Sequence, residues 1–405
     1  MLNPVQIRRL LARTLRVALD GGPAYTQLVQ RWAQAQAAEA SWIAALTWDG
    51  IGAATGWALQ ALDLRGVAPP EVDVAATEAY EEARQLSFLQ AADLTRIGVE
   101  FASLEVPCIA LKGSALLIGN LAPAPGIRWM EDLDVLVRER QVEEAAWVLE
   151  SLGFARGVTR DLSVPEVARP YHDTFTSLDG RSIELHWRVG PARWGPTAAA
   201  ERWFERATPS PAGGILLPAA LDLFWHFLVH DARNHAWSSG SLRAALDLAL
   251  VARAPGFALV DVIRRLDEDP RPGPLMEAIA DAATLSPILA AEIEPSPEPR
   301  YLRLARWRDG IGRRNWQVQR RSEAIAWGAT LDRARRFGGW DAVANHALRL
   351  VPESSQHHTL GALLRRWFLS LREAAFVGAL TARHLISIPG APHRVAPRGL
   401  SAGSQ

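Results

Sequence analysis

The sequence predicts an α+β protein in which a mixed sheet with helices lies between mainly helical N- and C-terminal regions. Three observations carry this. Apolar residues recur at helical spacing over the first hundred positions, short alternating or apolar runs bounded by turn residues occupy about 107–187, and helical periodicity returns from about 215. The corresponding divisions are a helical N-terminal region (1–100), the sheet-bearing core (101–200), a helical domain completing a cleft (201–295), a C-terminal helical region (296–387) and a disordered tail (388–405), the last rich in Pro, Gly and Ser.

Each element has its own signal. VQRWAQAQAAEASWIAALTWDG and EAYEEARQLSFLQAADLTRIGVEFASL alternate Ala, Leu and Trp with Arg, Glu and Gln, the pattern of amphipathic helices. After Pro107, the apolar run Cys108–Leu111 closes at Gly113 and reads as a buried strand ending in a turn, with one or two helical turns over Ser114–Asn120. Asp132–Val137 (DLDVLV) alternates acidic and apolar residues as a second strand. Residues 141–152 form a helix stopped by Gly153. HDTFTSL and RSIELHW flank Asp179-Gly180, the dipeptide of a tight two-residue hairpin. PAALDLFWHFLVHDA, SLRAALDLALVARA and ALVDVIRRL are again helical, and Pro-rich residues near 295–300 set off an Arg- and Trp-rich helical segment.

Composition bounds the partners. A chain of 405 residues, 49% hydrophobic and 22% charged, buries a sizeable core and is neither fibrous nor mainly disordered. Its 44 basic and 44 acidic residues cancel, so no overall field gathers a long nucleic acid. Cys108 stands alone, without an internal disulfide, which suits a reducing compartment. The N-terminus lacks a secretory signal's apolar stretch, and the most apolar window, Ile215–Val229, is broken by Pro218, Asp222 and His226. A soluble cytoplasmic protein without a membrane span is expected. Lys112 is the only lysine, every other basic residue being arginine, which singles it out as a position where a compact ammonium on a flexible stem is wanted.

The candidate chemistry lies in three segments. Residues i and i+2 of a strand share a face, so Asp132 and Asp134 present two carboxylates side by side. Glu184, between Ile183 and Leu185, joins them if its strand lies alongside. Their mutual repulsion calls for divalent cations, and oxygen donors suit Mg²⁺, which also binds phosphates. A pair of Mg²⁺ ions held by Asp132, Asp134 and Glu184 would serve displacement at phosphorus. Gly113 permits close backbone approach to a phosphate, the amide and hydroxyl of Ser114 bond its oxygens, and Lys112 and Arg128 neutralise its charge. Arg128 is equally a candidate for a loop salt bridge, and Glu184 for a solvated hairpin carboxylate.

Leu111-Lys112-Gly113-Ser114, followed by Arg128-Trp129-Met130-Glu131-Asp132-Leu133-Asp134 and then Glu184-Leu185-His186-Trp187, resembles the uncharacterised nucleotidyltransferase family of the DNA polymerase β-like superfamily. The resemblance spans roughly residues 85–290 and implies a polymerase β-like core. It also implies Mg²⁺-dependent transfer of a nucleoside monophosphate from an NTP, with ATP taken as donor, to a hydroxyl or similar acceptor on a small molecule or protein, releasing pyrophosphate. A longer gap than the superfamily's usual one separates Ser114 from Asp132, because LAPAPGIRW adds a loop that carries Arg128. A catalytically silent nucleotide-binding scaffold serving a biosynthetic or regulatory partner is the alternative.

His172, His186 and His230 are candidates for the acceptor side, with Asp231 and Arg233 beside the last; His186 shares Glu184's face, whereas Trp187 points to the core. His226 and His230, four apart with His235 beyond, have a spacing that zinc can use, but no cysteine or HExxH glutamate accompanies them. The sequence is silent on acceptor identity and oligomeric state.

Overall fold

The computed structural model describes residues 1–20, 25–48, 50–157, 171–190, 200–234, 241–269, 272–303 and 305. The expected C-terminal helical region beyond 305, the tail, His235 and the side chain of Arg233 lie outside them.

Five helices open the chain: α1 (Pro4–Asp20), α2 (Tyr25–Ala33), α3 (Glu39–Trp48), α4 (Gly52–Ala61) and α5 (Pro70–Ser103). A reciprocal cap starts α1. The Asn3 carboxamide oxygen accepts the N–H groups of Val5 and Gln6, and the Gln6 side chain accepts that of Asn3. Pro70 starts α5, whose fixed φ and missing N–H cost nothing at a first helical position.

The sheet comes next. Its strands are β1 (Ile109–Ala110), β2 (Asp132–Leu136), β3 (Phe154–Arg156), β4 (His172–Ser177), β5 (Ser182–His186), β6 (Thr208–Pro209) and β7 (Leu216–Leu217), in the order β3-β4-β5-β2-β1-β7-β6. The β2–β5 and β1–β7 pairs are parallel and the others antiparallel, giving a mixed sheet. Between β1 and β2 lies α6 (Lys112–Ile118), and between β2 and β3 lies α7 (Val142–Ser151), closed by Gly153 at φ 89°. After α8 (Glu201–Arg206) come α9 (Ala220–Asn234), α10 (Leu242–Val251), α11 (Leu259–Asp267), α12 (Pro272–Ala282) and α13 (Pro287–Ala290). Ser241 and Ser286 cap α10 and α13 through their hydroxyls.

Three details differ from expectation. The hairpin loop is longer than two residues: Ser177 accepts and donates across to Arg181, leaving Leu178, Asp179 and Gly180 as a three-residue loop with Gly180 at φ 85°. The start of the 215–290 helical stretch is strand β7, and α9 begins only after Pro218. β3, β6 and β7 are too short to show a period of two.

Alternation divides the sheet into two faces. Leu133, Val135 and Val137, with Ile183, Leu185 and Trp187, enter the main core, together with Phe175 and Phe154. A smaller cluster of Ile109, Leu111, Leu136, Val189, Ala200 and Trp203 covers part of the opposite face, on which Asp132, Asp134, Glu184 and His186 also lie.

The long α5, packed in the main core through Leu94, Ile97 and Phe101, holds the loops from the other side of the sheet. Gln90 donates to the Met130 carbonyl at 3.1 Å, Asp93 pairs with Arg181 of the hairpin, and Arg96 reaches the Leu152 carbonyl at 3.0 Å. Backbones touch where glycine permits: a Cβ on Gly126, at φ 83°, would collide with the Arg84 backbone.

Helix α4 crosses α5 equally closely at Gly56, where a Cβ would meet the Ala76 carbonyl and Tyr80 Cβ. An exposed helical Gly→Ala change ordinarily gains about 1 kcal/mol. Here the sign reverses: Gly56→Ala is expected to destabilise the chain by about 1–3 kcal/mol through overpacking, read as a lower urea midpoint.

Candidate active site

The parallel register of β2 and β5 sets Asp134 opposite Glu184 and Asp132 opposite Ser182. Asp132, Asp134 and Glu184 each offer an oxygen within 4.8 Å of the others. The three acids named from sequence are therefore together, and their chemistry, all oxygen donors on a rigid sheet, fits a hard divalent cation.

Lys112 reaches into the same space. Its ammonium lies 2.6 Å from Asp134 Oδ1 and 3.5 Å from Glu184 Oε2. Burial alone would lower its pKa, but Asp134 and Glu184 raise it, so the charge is locked in place. The backbone of Lys112 is left-handed, at φ 45°, a conformation that costs a non-glycine residue about 1–2 kcal/mol. This bend at the end of β1 points the ammonium to the acidic face. Three carboxylates against one ammonium leave the cluster two negative charges in excess when the histidines are neutral.

Each acid responds differently. Burial and the neighbouring Asp134 and Glu184 push Asp132 up from 3.8 to about 6. Burial would raise Asp134 too, but Lys112 and a hydrogen bond from His186 hold it well below the usual range. Glu184, likewise opposed by burial, is lowered by its bond to His186.

His186, 1% exposed, places Nε2 2.9 Å from Asp134 Oδ1 and 3.2 Å from Glu184 Oε2. Burial works against its charge, and these two bonds raise its pKa above the ordinary value. His172, opposite His186 across the β4–β5 ladder, lies 3.4 Å from Glu184 Oε1; burial and the charge of His186 lower it to about 4.

Gly113 and Ser114 have structural tasks. The Ser114 hydroxyl, fully buried, accepts the Asp134 N–H at 2.9 Å, and the Leu111 N–H donates to the Asp134 carbonyl at 2.9 Å. These bonds fix α6 against β2. A Cβ on Gly113 would strike Arg128 Nη1 and Met130 Sδ, so this glycine makes room for the loop side chains.

Arg128 is both packed and paired. Its Nε donates to Asp247 Oδ1 at 2.8 Å, and its guanidinium lies 5.7 Å from the Phe227 ring. Although burial disfavours its charge, Asp247 raises its pKa, with smaller help from Asp134 and Asp132. Asp247 escapes the sequence reading; its signal is a lone acid inside the apolar run of α10. Arg243, one turn earlier, escapes it as well: burial and Arg128 lower its pKa, placing a second guanidinium in the same field.

His230 stacks edge-on against His226, 5.7 Å between centroids, and Asp231 lies 3.9 Å from Arg300. Buried His226 is lowered to about 3 by burial, Lys112 and His186, which sets α9 against the base of the site.

Asp132 supplies a pH test. Its folded pKa is raised, so the folded state holds a proton that the unfolded state releases, and stability from this group falls as pH rises through about 4 to 6. In chelator, Asp132→Asn is expected to gain about 1 kcal/mol on the wild type between about pH 5 and 7.5, measured by urea denaturation. An unchanged difference between the two would show that Asp132 is not crowded by its neighbours.

No helix among the described residues is long and apolar enough to cross a membrane. No curated protein matches the chain. A family model described as an uncharacterised nucleotidyltransferase matches residues 37–268, over half of the sequence; it reaches further into the N-terminal helices than the expected 85–290 and stops before 290. With Lys112, the three acids, Arg128 and Asp247 all inside the matched span, the chain belongs to this nucleotidyltransferase family.

Proposed function

We propose that the protein is a Mg²⁺-dependent nucleotidyltransferase that moves a nucleoside monophosphate from an NTP to a hydroxyl on a small molecule or protein, with release of pyrophosphate. The observation that carries this reading is the convergence of Asp132, Asp134 and Glu184 within 4.8 Å on one sheet face of a chain from this family. These three residues would hold Mg²⁺, two ions by the superfamily's pattern. Bound there, the metal supplies Lewis-acid charge to phosphate oxygens.

The remaining residues bind and orient. Arg128, fixed at one edge by Asp247, keeps its other guanidinium nitrogens for the triphosphate, where a planar fork suits paired phosphate oxygens. Lys112, flexible beyond its first bonds, exchanges a carboxylate for a phosphate as the nucleotide enters. Gly113 keeps the path of Arg128 open, and Ser114 holds the Asp134 backbone at the required depth. Glu184, kept anionic, is the carboxylate best placed to receive the acceptor's proton, with His172 on its outer oxygen. His172, partly exposed, lines the acceptor side, with His186 buried behind it; His230 lies on α9.

The test is Mg²⁺-dependent pyrophosphate release from each NTP across an acceptor panel. Asp132→Ala and Asp134→Ala are each expected to lower it at least about a hundredfold. Activity surviving both would remove the mechanism, and tight nucleotide binding without turnover in the wild type would favour the scaffold.

Asp247→Ala separates binding from chemistry. By loosening Arg128 it is expected to raise KM for the NTP about tenfold with a smaller change in kcat. KM and kcat both left unchanged would place Arg128 away from the triphosphate.

A further inference from the structure

We infer that His172, Glu184 and His186 form a second, nitrogen-rich metal site for a borderline divalent cation of the zinc class, distinct in ligand chemistry from the all-oxygen set. His172, Glu184 and His186 each offer a donor atom within 4.8 Å of the others. His172 Nε2 lies 3.4 Å from Glu184 Oε1, and His186 Nε2 lies 3.2 Å from Glu184 Oε2. Tetrahedral zinc with bonds of about 2.0–2.1 Å spaces its ligands by about 3.3 Å, so each imidazole already stands at ligand spacing from one oxygen of Glu184.

The sheet supplies the preorganisation. His172 and His186 are Cα partners across the β4–β5 ladder, and Glu184 shares the face of His186 two residues earlier. Their rings lie 4.9 Å apart. Among the described residues both Nδ1 atoms are buried without a hydrogen-bond partner, and the polar contacts of these imidazoles run through the nitrogens that face Glu184. Access is open on one side, where the side chains of His172 and Glu184 are 27% and 20% exposed.

Donor type separates the two sets. Two imidazoles and a carboxylate suit Zn²⁺, Co²⁺ or Ni²⁺ and leave a position for water or substrate, whereas carboxylates alone suit Mg²⁺. Glu184 belongs to both. Ligation at His186 Nε2 would end its bond to Asp134, which keeps Lys112 at 2.6 Å in compensation. With both imidazoles neutral, as ligation requires, the two-charge excess of the cluster is what a single divalent cation neutralises.

The site is tested without nucleotide, so its outcome is independent of the transfer reaction. Full-length protein is titrated with Co²⁺ in the absence of other metals and followed by its visible ligand-field absorption. X-ray absorption of the Zn²⁺ form counts imidazole ligands. The wild type is expected to bind one ion with two imidazoles. His172→Ala should lose one imidazole signal and bind at least about tenfold more weakly, while Asp132→Asn keeps both imidazoles. His172 is partly exposed, so its replacement leaves the buried packing in place; circular dichroism confirms the fold, and His172→Gln gives a second variant. Unchanged affinity and spectrum in the His172 variants would overturn the proposal. So would a wild-type spectrum with oxygen ligands only.

Discussion

The crowding of negative charge on one sheet face is the constraint to which the rest of the structure answers. Parallel pairing of β2 with β5 places Asp134 beside Glu184, and the period of two adds Asp132. Carboxylates this close cannot all ionise cheaply in a partly dry site. The response is divided: Asp132 keeps its proton to a higher pH than a free carboxyl would, while Lys112 and His186 keep Asp134 ionised. Lys112 is thus a resident counter-ion, and the excess charge it leaves gives the site an appetite for more cation. The single lysine in an arginine-rich chain is consistent with this geometry. A planar guanidinium at the end of the same left-handed bend would not fit a point between two carboxylates as an ammonium does.

Around this centre, neutral residues set distances and charged ones set fields. Ser114 and Leu111 clamp α6 to both backbone groups of Asp134, so the helix and the acid move together. Gly113 yields its side-chain space to Arg128, and Asp247 fixes that arginine from a helix 119 residues further along the chain. On the far side, α5 ties down the Met130 carbonyl, the hairpin and the end of α7. The acidic strand is therefore held from both ends and from below, whereas the face toward solvent carries the partly exposed groups, Asp132, Glu184 and His172. Rigidity at the base with openness at the rim is what a site for a charged ligand requires.

Much of this is legible in the sequence because the relevant rules are local. Asp132 and Asp134 emerge from i, i+2 alternation beside Leu133 and Val135, and Glu184 from its apolar neighbours. Gly153 and Gly180 declare turns that the structure contains. The residues that escape depend on distant partners. Nothing near Asp247 announces Arg128, and only the fold brings them to 2.8 Å. Gly113 suggests conformational freedom, yet the positive φ belongs to Lys112 and the glycine serves a steric purpose. The motif around Ser114 points to a phosphate, and only the fold shows that its buried hydroxyl also accepts the Asp134 N–H. The short strands β3, β6 and β7 carry too few residues for any periodic signal, so the sheet's full width is invisible in the sequence.

The histidines show how one residue can belong to two networks. His186 lies beneath the carboxylates, where burial works against its charge and its bonds to Asp134 and Glu184 raise its pKa above the ordinary value. His172, lowered to about 4 partly by that same charge, stays neutral near the rim. Glu184 stands between them, one oxygen toward each, and also within reach of Lys112. Glu184 is therefore shared by the all-oxygen and the nitrogen-rich donor sets. An ion on the oxygen side draws Glu184 toward Asp132 and Asp134, whereas an ion on the nitrogen side draws it toward the imidazoles. Under the proposed readings, the preference of this one carboxylate would link metal identity to the position of Lys112, and through Lys112 to the charge presented to an incoming phosphate.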